Sequence, residues 1–157
     1  MEKIITYQVA TTLDEFENGK VLFREYVASL NVDLSFQNFE TELETIANQY
    51  SQPAGALLLA MDGNAFVGCS GIRRLDNETA ELKRMYVKNE YRGYQIGVAL
   101  LERSCEIAKQ LGYKKLRLDT LATMTKAQQL YTASGFYQIA PYRFNPLPGT
   151  IYMEKEL

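Results

Sequence analysis

Between Glu81 and Leu101 the sequence gathers residue types that handle phosphate and proton chemistry. The run Glu81-Leu82-Lys83-Arg84-Met85-Tyr86-Val87 is followed by Arg92-Gly93-Tyr94-Gln95-Ile96-Gly97-Val98 and then by an amphipathic stretch. This pattern predicts a strand that passes through a short glycine-containing turn directly into a helix. Such a junction aims several backbone N–H groups, and the positive end of a helix dipole, at one point. A phosphate belongs there, with Arg92 either adding charge to it or serving as a solvated turn residue. The chain contains no histidine, which removes Ser-His and Cys-His nucleophiles and most zinc sites. No metal is expected. Cys69 and Cys105 lack CxxC spacing and an adjacent activator, so they read as two buried thiols. Any proton transfer then falls to Glu, Asp, Tyr, Lys or water.

The elements that must position these residues follow from periodicity. Ile4–Val9 reads as a short edge-like strand. Leu13, Phe16, Phe23, Tyr26, Val27 and Leu30 recur at helical spacing, with Thr12 as N-cap and Glu15 in capping-box position. A break over Asn31–Ser35 precedes a second helix predicted from Phe36 to Ala47. Ala56–Met61 and Ala65–Gly71 flank the hairpin signal Asp62-Gly63-Asn64, and Asp76-Asn77-Glu78 marks the turn before a strand over Thr79–Val87. Gly97–Leu111 is the strongest helical pattern, stopped by Gly112. Lys115–Thr120 is a strand, Thr125–Ser134 a helix closed by Gly135, Phe136–Ile139 a further strand, and Thr150–Glu154 the last. A strand-helix-strand crossover from Thr79 to Thr120 requires one parallel pair, so the sheet is mixed and the class is α/β or α+β.

At 157 residues, one domain over 1–157 is the expectation. An apolar content of 46% with 23% charged residues is that of an ordinary soluble globular protein. No apolar run approaches the ~20 residues of a membrane span, and the start lacks a signal-peptide pattern. A cytoplasmic protein without membrane association is expected. Residues 1–62 carry net charge −7 and residues 63–157 carry +5. A basic half suits a phosphate-bearing ligand, and an acidic half suits either a cationic acceptor or plain solvated helix faces. Nucleic acid is not expected, because the chain has an acidic pI of 5.3 and no basic stripe.

The loop Arg92-Gly93-Tyr94-Gln95-Ile96-Gly97 resembles the pyrophosphate motif Arg/Gln-x-x-Gly-x-Gly/Ala of the GCN5-related N-acetyltransferases, the GNAT superfamily. Downstream, Leu116-Arg117-Leu118-Asp119-Thr120 and Ala127-Gln-Gln-Leu-Tyr131-Thr-Ala-Ser-Gly135-Phe136 resemble the next strand and helix end of that family. The likeness covers roughly Leu57 to Phe136. Gln95 stands where the family commonly has its middle glycine, and Met124 where it often has an asparagine.

The resemblance implies a GNAT-like mixed, mostly antiparallel sheet of six to seven strands with about four helices. Its one parallel pair, the strands over Thr79–Val87 and Lys115–Thr120, should splay at the cofactor cleft. Acetyl-CoA is the implied cosubstrate, held along Met85, Tyr86 and Val87 and by Arg92, Gly93, Tyr94, Gln95, Ile96, Gly97 and Val98, with Lys126 either reaching a phosphate or facing water. The implied reaction is direct attack of a small-molecule or peptide amine on the thioester in a ternary complex. An amine with a pKa near ~10.4 needs roughly 4–5 kcal/mol to reach its free base at neutral pH, so a base or water relay helps. By position Glu81 matches the family's general-base glutamate; its other reading is a carboxylate paired with Lys83 or Arg84. Tyr131 matches the tyrosine that protonates the departing thiolate, or else simply packs on the sheet. Tyr26, Phe36, Tyr142, Phe144 and Asn145 are implied to line the acceptor pocket, or to be core. A homodimer is compatible with the resemblance. Two other readings stay open: a catalytically weak CoA-binding sensory or scaffold module of the same fold, and a mononucleotide-binding domain, which the missing Walker lysine and serine disfavour.

Overall fold

A reciprocal cap starts the first long helix where the sequence places it. The Glu15 N–H donates to Thr12 Oγ1 at 3.1 Å, and Glu15 Oε1 accepts from the Thr12 N–H at 3.0 Å, so two N–H groups at the helix start are satisfied. The chain is described here by a computed structural model covering residues 3–30, 38–143 and 145–157. In chain order the elements are β1 (Ile5–Val9), α1 (Leu13–Leu30), α2 (Phe39–Glu44), α3 (Ile46–Gln49), β2 (Ala56–Asp62), β3 (Ala65–Arg74) and β4 (Thr79–Val87). A 3-10 turn at Asn89–Tyr91 follows, then α4 (Ile96–Gln110), β5 (Lys115–Thr120), α5 (Thr125–Ala133), β6 (Tyr137–Ile139) and β7 (Ile151–Glu156).

The seven strands form one sheet in the order β1-β2-β3-β4-β5-β7-β6. Every neighbouring pair is antiparallel except β4 and β5, which α4 joins as a crossover. The mixed sheet with a single parallel pair is the architecture expected from the sequence. Alternating side chains of the central strands feed two cores. On one face Phe16, Leu22, Phe23, Leu43, Ile46 and Tyr50 from α1–α3 and the turn after them pack on Leu57, Leu59 and Cys69. On the other, Leu101, Cys105 and Ala108 of α4 and Tyr131 of α5 cover Ile72, Ala80, Leu82, Leu116 and Leu118. Gly71 lets the Tyr50 ring lie directly on β3, since a Cβ there would come within 2.5 Å of it.

The helix predicted over 36–47 differs from the structure. Residues 36 and 37 lie outside the described residues, and the rest splits at Thr45 into α2 and α3, giving five helices among the described residues. Thr45 sits at φ −112°, and its hydroxyl donates back to the Thr41 carbonyl at 2.8 Å. A β-branched residue that spends its hydroxyl on the preceding turn competes with helix continuation. Both cysteines are free and buried, and no helix among the described residues is long and apolar enough to cross a membrane.

Candidate active site

The parallel pair is zipped for only three residues. Thr79, Ala80 and Glu81 pair with Lys115, Leu116 and Arg117, and beyond Glu81 the edge of β4 that faces β5 has no strand partner among the described residues. A bulge in β4 turns its remaining half away. The β3–β4 register slips between Cys69 and Gly71, and Arg84 takes a left-handed φ of 57°. A non-glycine residue holds that conformation only when its surroundings impose it. Here Glu42 of α2 grips the Arg84 guanidinium through both oxygens, at 2.9 and 3.1 Å, and accepts from the Tyr50 hydroxyl at 3.0 Å. Burial alone would raise the Glu42 pKa; the Arg84 charge and hydrogen bonds outweigh it and hold the carboxyl below its usual range. The Cys69 thiol, pushed far up by burial, donates to the Arg84 carbonyl at 3.3 Å.

The bulge leaves Met85 and Val87 lining an open cleft of about 810 Å³, together with Arg92, Gly93 and Gln95, the first turn of α4 from Ile96 to Val98, and Thr123 to Ala127. No side chain among the described residues caps α4, and the N–H groups of its first turn have no intrahelical partner. Gly93 has φ 91° with nothing within 4 Å of where a Cβ would stand; backbone conformation, not space, requires glycine there. Gln95 adopts φ 64° without being glycine. The loop is fixed from behind by Tyr91, whose hydroxyl donates to Asp62 Oδ2 at 2.6 Å while Lys3 pairs with the same oxygen at 3.3 Å. Arg92 and Lys126 are both exposed and both line the cleft, one from the loop before α4 and one from the start of α5. Amides, a helix N-terminus and two exposed cations around one cleft could hold a diphosphate.

Glu81 sits among cations. It is fully buried at the last zipped position, paired with Arg73 at 3.0 Å and with Arg143, and its Oε2 accepts from the Tyr142 hydroxyl at 2.7 Å. Burial would raise its pKa, but Lys83, Arg73 and Arg143 together outweigh that and lower it to about 2. A carboxylate so held is a poor proton acceptor. Its contacts tie the segment carrying Tyr142 and Arg143 to β4.

The match to the acetyltransferase (GNAT) family model runs over residues 22–136, which contain the zipped pair, the bulge, the cleft and Tyr131. The chain belongs to the GNAT family. An uncharacterised N-acetyltransferase of Schizosaccharomyces pombe is 38% identical over 92% of this chain and 88% of its own length. An acetyltransferase from Streptococcus agalactiae superposes with a TM-score of 0.80 at 23% identity, covering 98% of both chains. A GNAT family acetyltransferase from Elizabethkingia anophelis, crystallised with acetyl-CoA bound, gives a TM-score of 0.70 at 24% identity over 98% of both chains.

In this GNAT protein the residues expected to serve the site fall into three groups. Met85, Val87, Arg92, Gly93, Gln95, Ile96, Gly97, Val98 and Lys126 line one cleft. The Tyr86 and Tyr94 side chains do not line it: Tyr86 packs on Tyr26 at 6.0 Å and donates to Glu25, because strand alternation turns it to the α1 face, and Tyr94 leans on Tyr91 at 6.2 Å. Tyr131 is buried beneath the wedge, beside Met85, Leu82 and Leu118, and burial pushes its phenol far up. Of the acceptor set, Tyr26 and Asn145 share a small cavity with Arg84, Asp119 and Thr120, Tyr142 is drawn to Glu81 instead, and Phe36 and Phe144 lie outside the described residues. Sequence reasoning missed Glu42, Asp119 and Thr120. The available signal was polarity on a central strand: β5 carries Asp119 although it lies between β4 and β7.

Proposed function

We propose that the chain transfers an acetyl group from acetyl-CoA to the primary amine of a small molecule or peptide, by direct attack in a ternary complex. The observation that carries this is the parting of β4 and β5 after Glu81, which opens backbone edge, helix N-terminus and buried phenol onto one path. The residues fit the cosubstrate, since Gly93 and the uncapped first turn of α4 leave room and N–H groups for a diphosphate. Acetyl-CoA supplies an activated thioester and a thiolate that leaves with a pKa near ~8.5.

The protein's part is positioning and proton handling. The unpaired β4 edge beyond Glu81 orients the pantetheine arm and offers N–H groups to a developing oxyanion. Tyr131 holds its proton at neutral pH because burial disfavours its phenolate, so it offers the leaving sulfur a hydrogen bond, with the proton itself passing to the thiolate from solvent. Arg92 and Lys126 anchor the phosphates. Thiol release from acetyl-CoA with a panel of primary amines, alongside calorimetry with CoA, tests the reading. Saturable, amine-dependent release with tight CoA binding is expected; CoA binding without release under any amine would sink the enzymatic part.

A further inference from the structure

Lys83 is the one buried lysine among the described residues, 4% exposed, and it has no part in the acetyl transfer proposed above. Its place follows from strand alternation. Glu81 and Arg117 are the last paired residues of β4 and β5. β4 keeps a regular register against β3 through Lys83, and β5 keeps one against β7 through Asp119. Two residues further along a regular strand a side chain returns to the same face, so Lys83 and Asp119 stand on one face of the sheet, on either side of the parting strands. Both line a cavity of about 30 Å³ that also takes in Met85 and Tyr131. Met85 lines the large cleft as well, so cavity and cleft meet at that side chain.

We infer that Lys83 is a self-acetylation site: with acetyl-CoA between the parted strands and no acceptor present, the Lys83 amine takes the acetyl group itself. The assignment rests on the acetyl-transfer reading above. The neutral Nζ attacks the thioester carbonyl carbon, a C–N bond forms, the C–S bond breaks, and the thiolate leaves with the bonding pair. Nζ gives its surplus proton to solvent and the thiolate takes one from solvent. Lysine amine and acetyl-CoA thus become acetyl-lysine and CoA with no further reactant. Burial brings the Lys83 ammonium down to about 8 against the opposing charges of Glu81 and Asp119. About a tenth of it is then neutral at pH 7, against less than about a thousandth for a lysine at ~10.4. An amine held beside the thioester also reacts within one complex, without waiting for a collision. Acetylation removes a positive charge beside Glu81, whose carboxyl Lys83, Arg73 and Arg143 hold at about 2.

The test incubates the protein with acetyl-CoA and no added amine, with CoA calorimetry in parallel. Peptide mapping by mass spectrometry should find Lys83 acetylated at least about tenfold faster than the exposed Lys109 and Lys114, although those two meet acetyl-CoA freely in solution. The rate constant should not change with protein concentration, and excess CoA should slow the reaction by displacing the thioester. Lys83→Arg should lose the adduct and keep CoA affinity within about twofold of wild type; if that variant does not fold, the wild-type map decides alone. CoA binding with Lys83 unmodified, or modified no faster than the exposed lysines, overturns the site and leaves the acetyl-transfer reading standing. Absence of CoA binding removes that reading and the site with it.

Discussion

Held at about 2 by Lys83, Arg73 and Arg143, the Glu81 carboxyl contributes to the stability of the fold. A folded-state pKa depressed from the ordinary ~4.3 stabilises the protein above pH ~4.3, and that stabilisation drains away as pH falls toward 2. The amount is on the order of 3 kcal/mol. Glu81→Gln leaves Arg73 and Arg143 partly uncompensated, so the melting temperature at pH 7 should fall by roughly 6–12 °C. The acid-side loss of stability should flatten in the same variant, while the pH profile of acetyl transfer keeps its shape. An acid-side limb that vanishes from that profile would restore Glu81 as the base. Tyr131→Phe tests the other proton site. Because a thiolate departs tolerably unaided, kcat should drop about tenfold to a hundredfold with the KM for acetyl-CoA unchanged.

At the scale of elements, α4 and β4 are where stability and binding separate. A methyl at Gly97 would meet Leu130 Cδ2 at 3.7 Å, an ordinary contact, and alanine in a helix gains about 0.5–1 kcal/mol over glycine. The same methyl enters the cleft beside the free N–H groups of the first turn. Gly97→Ala should therefore raise the melting temperature by about 1–4 °C while weakening CoA binding in calorimetry; unchanged affinity would move the diphosphate off this helix end. Much of this arrangement is legible in sequence, because α1, α4 and the hairpin of β2 and β3 each carry their own local signals: the Thr12–Glu15 box, the stripe from Leu100 to Ala108, and Asp62-Gly63-Asn64. The parts that are not legible are tertiary. The Arg84 bulge exists because Glu42, 42 residues away in sequence, grips it from another helix, and no local pattern in Lys83-Arg84-Met85 announces a left-handed residue. Glu81 was visible as a carboxylate on the right strand with Lys83 two residues on, but Arg73 and Arg143, which also lower its pKa, come from β3 and from the stretch before β7.

Over the whole molecule, the parallel strand pair is a short seam of the sheet and, in the acetyl-transfer reading proposed above, the slot for the cosubstrate. The sheet is continuous from β1 to β6, yet β4 and β5 share only three paired positions, whereas β5 and β7 share six. A ligand that bridges the open half of the seam adds to the folded state what the missing ladder does not supply. At a CoA concentration of about 100 Kd, linkage gives about 2.7 kcal/mol, or roughly 5–11 °C in melting temperature for a chain of this size. Hydrogen exchange should locate that gain. Amides of Met85–Val87 and of the first turn of α4 should slow on adding CoA, while those of Thr79–Glu81, already zipped against Lys115–Arg117, should change little. Arg92 and Lys126 are exposed, so part of the affinity is screened by salt and should weaken between about 0.05 and 0.5 M sodium chloride. Protection spread evenly over the sheet, with no contrast between the two halves of β4, would mean that the ligand acts elsewhere than in the seam.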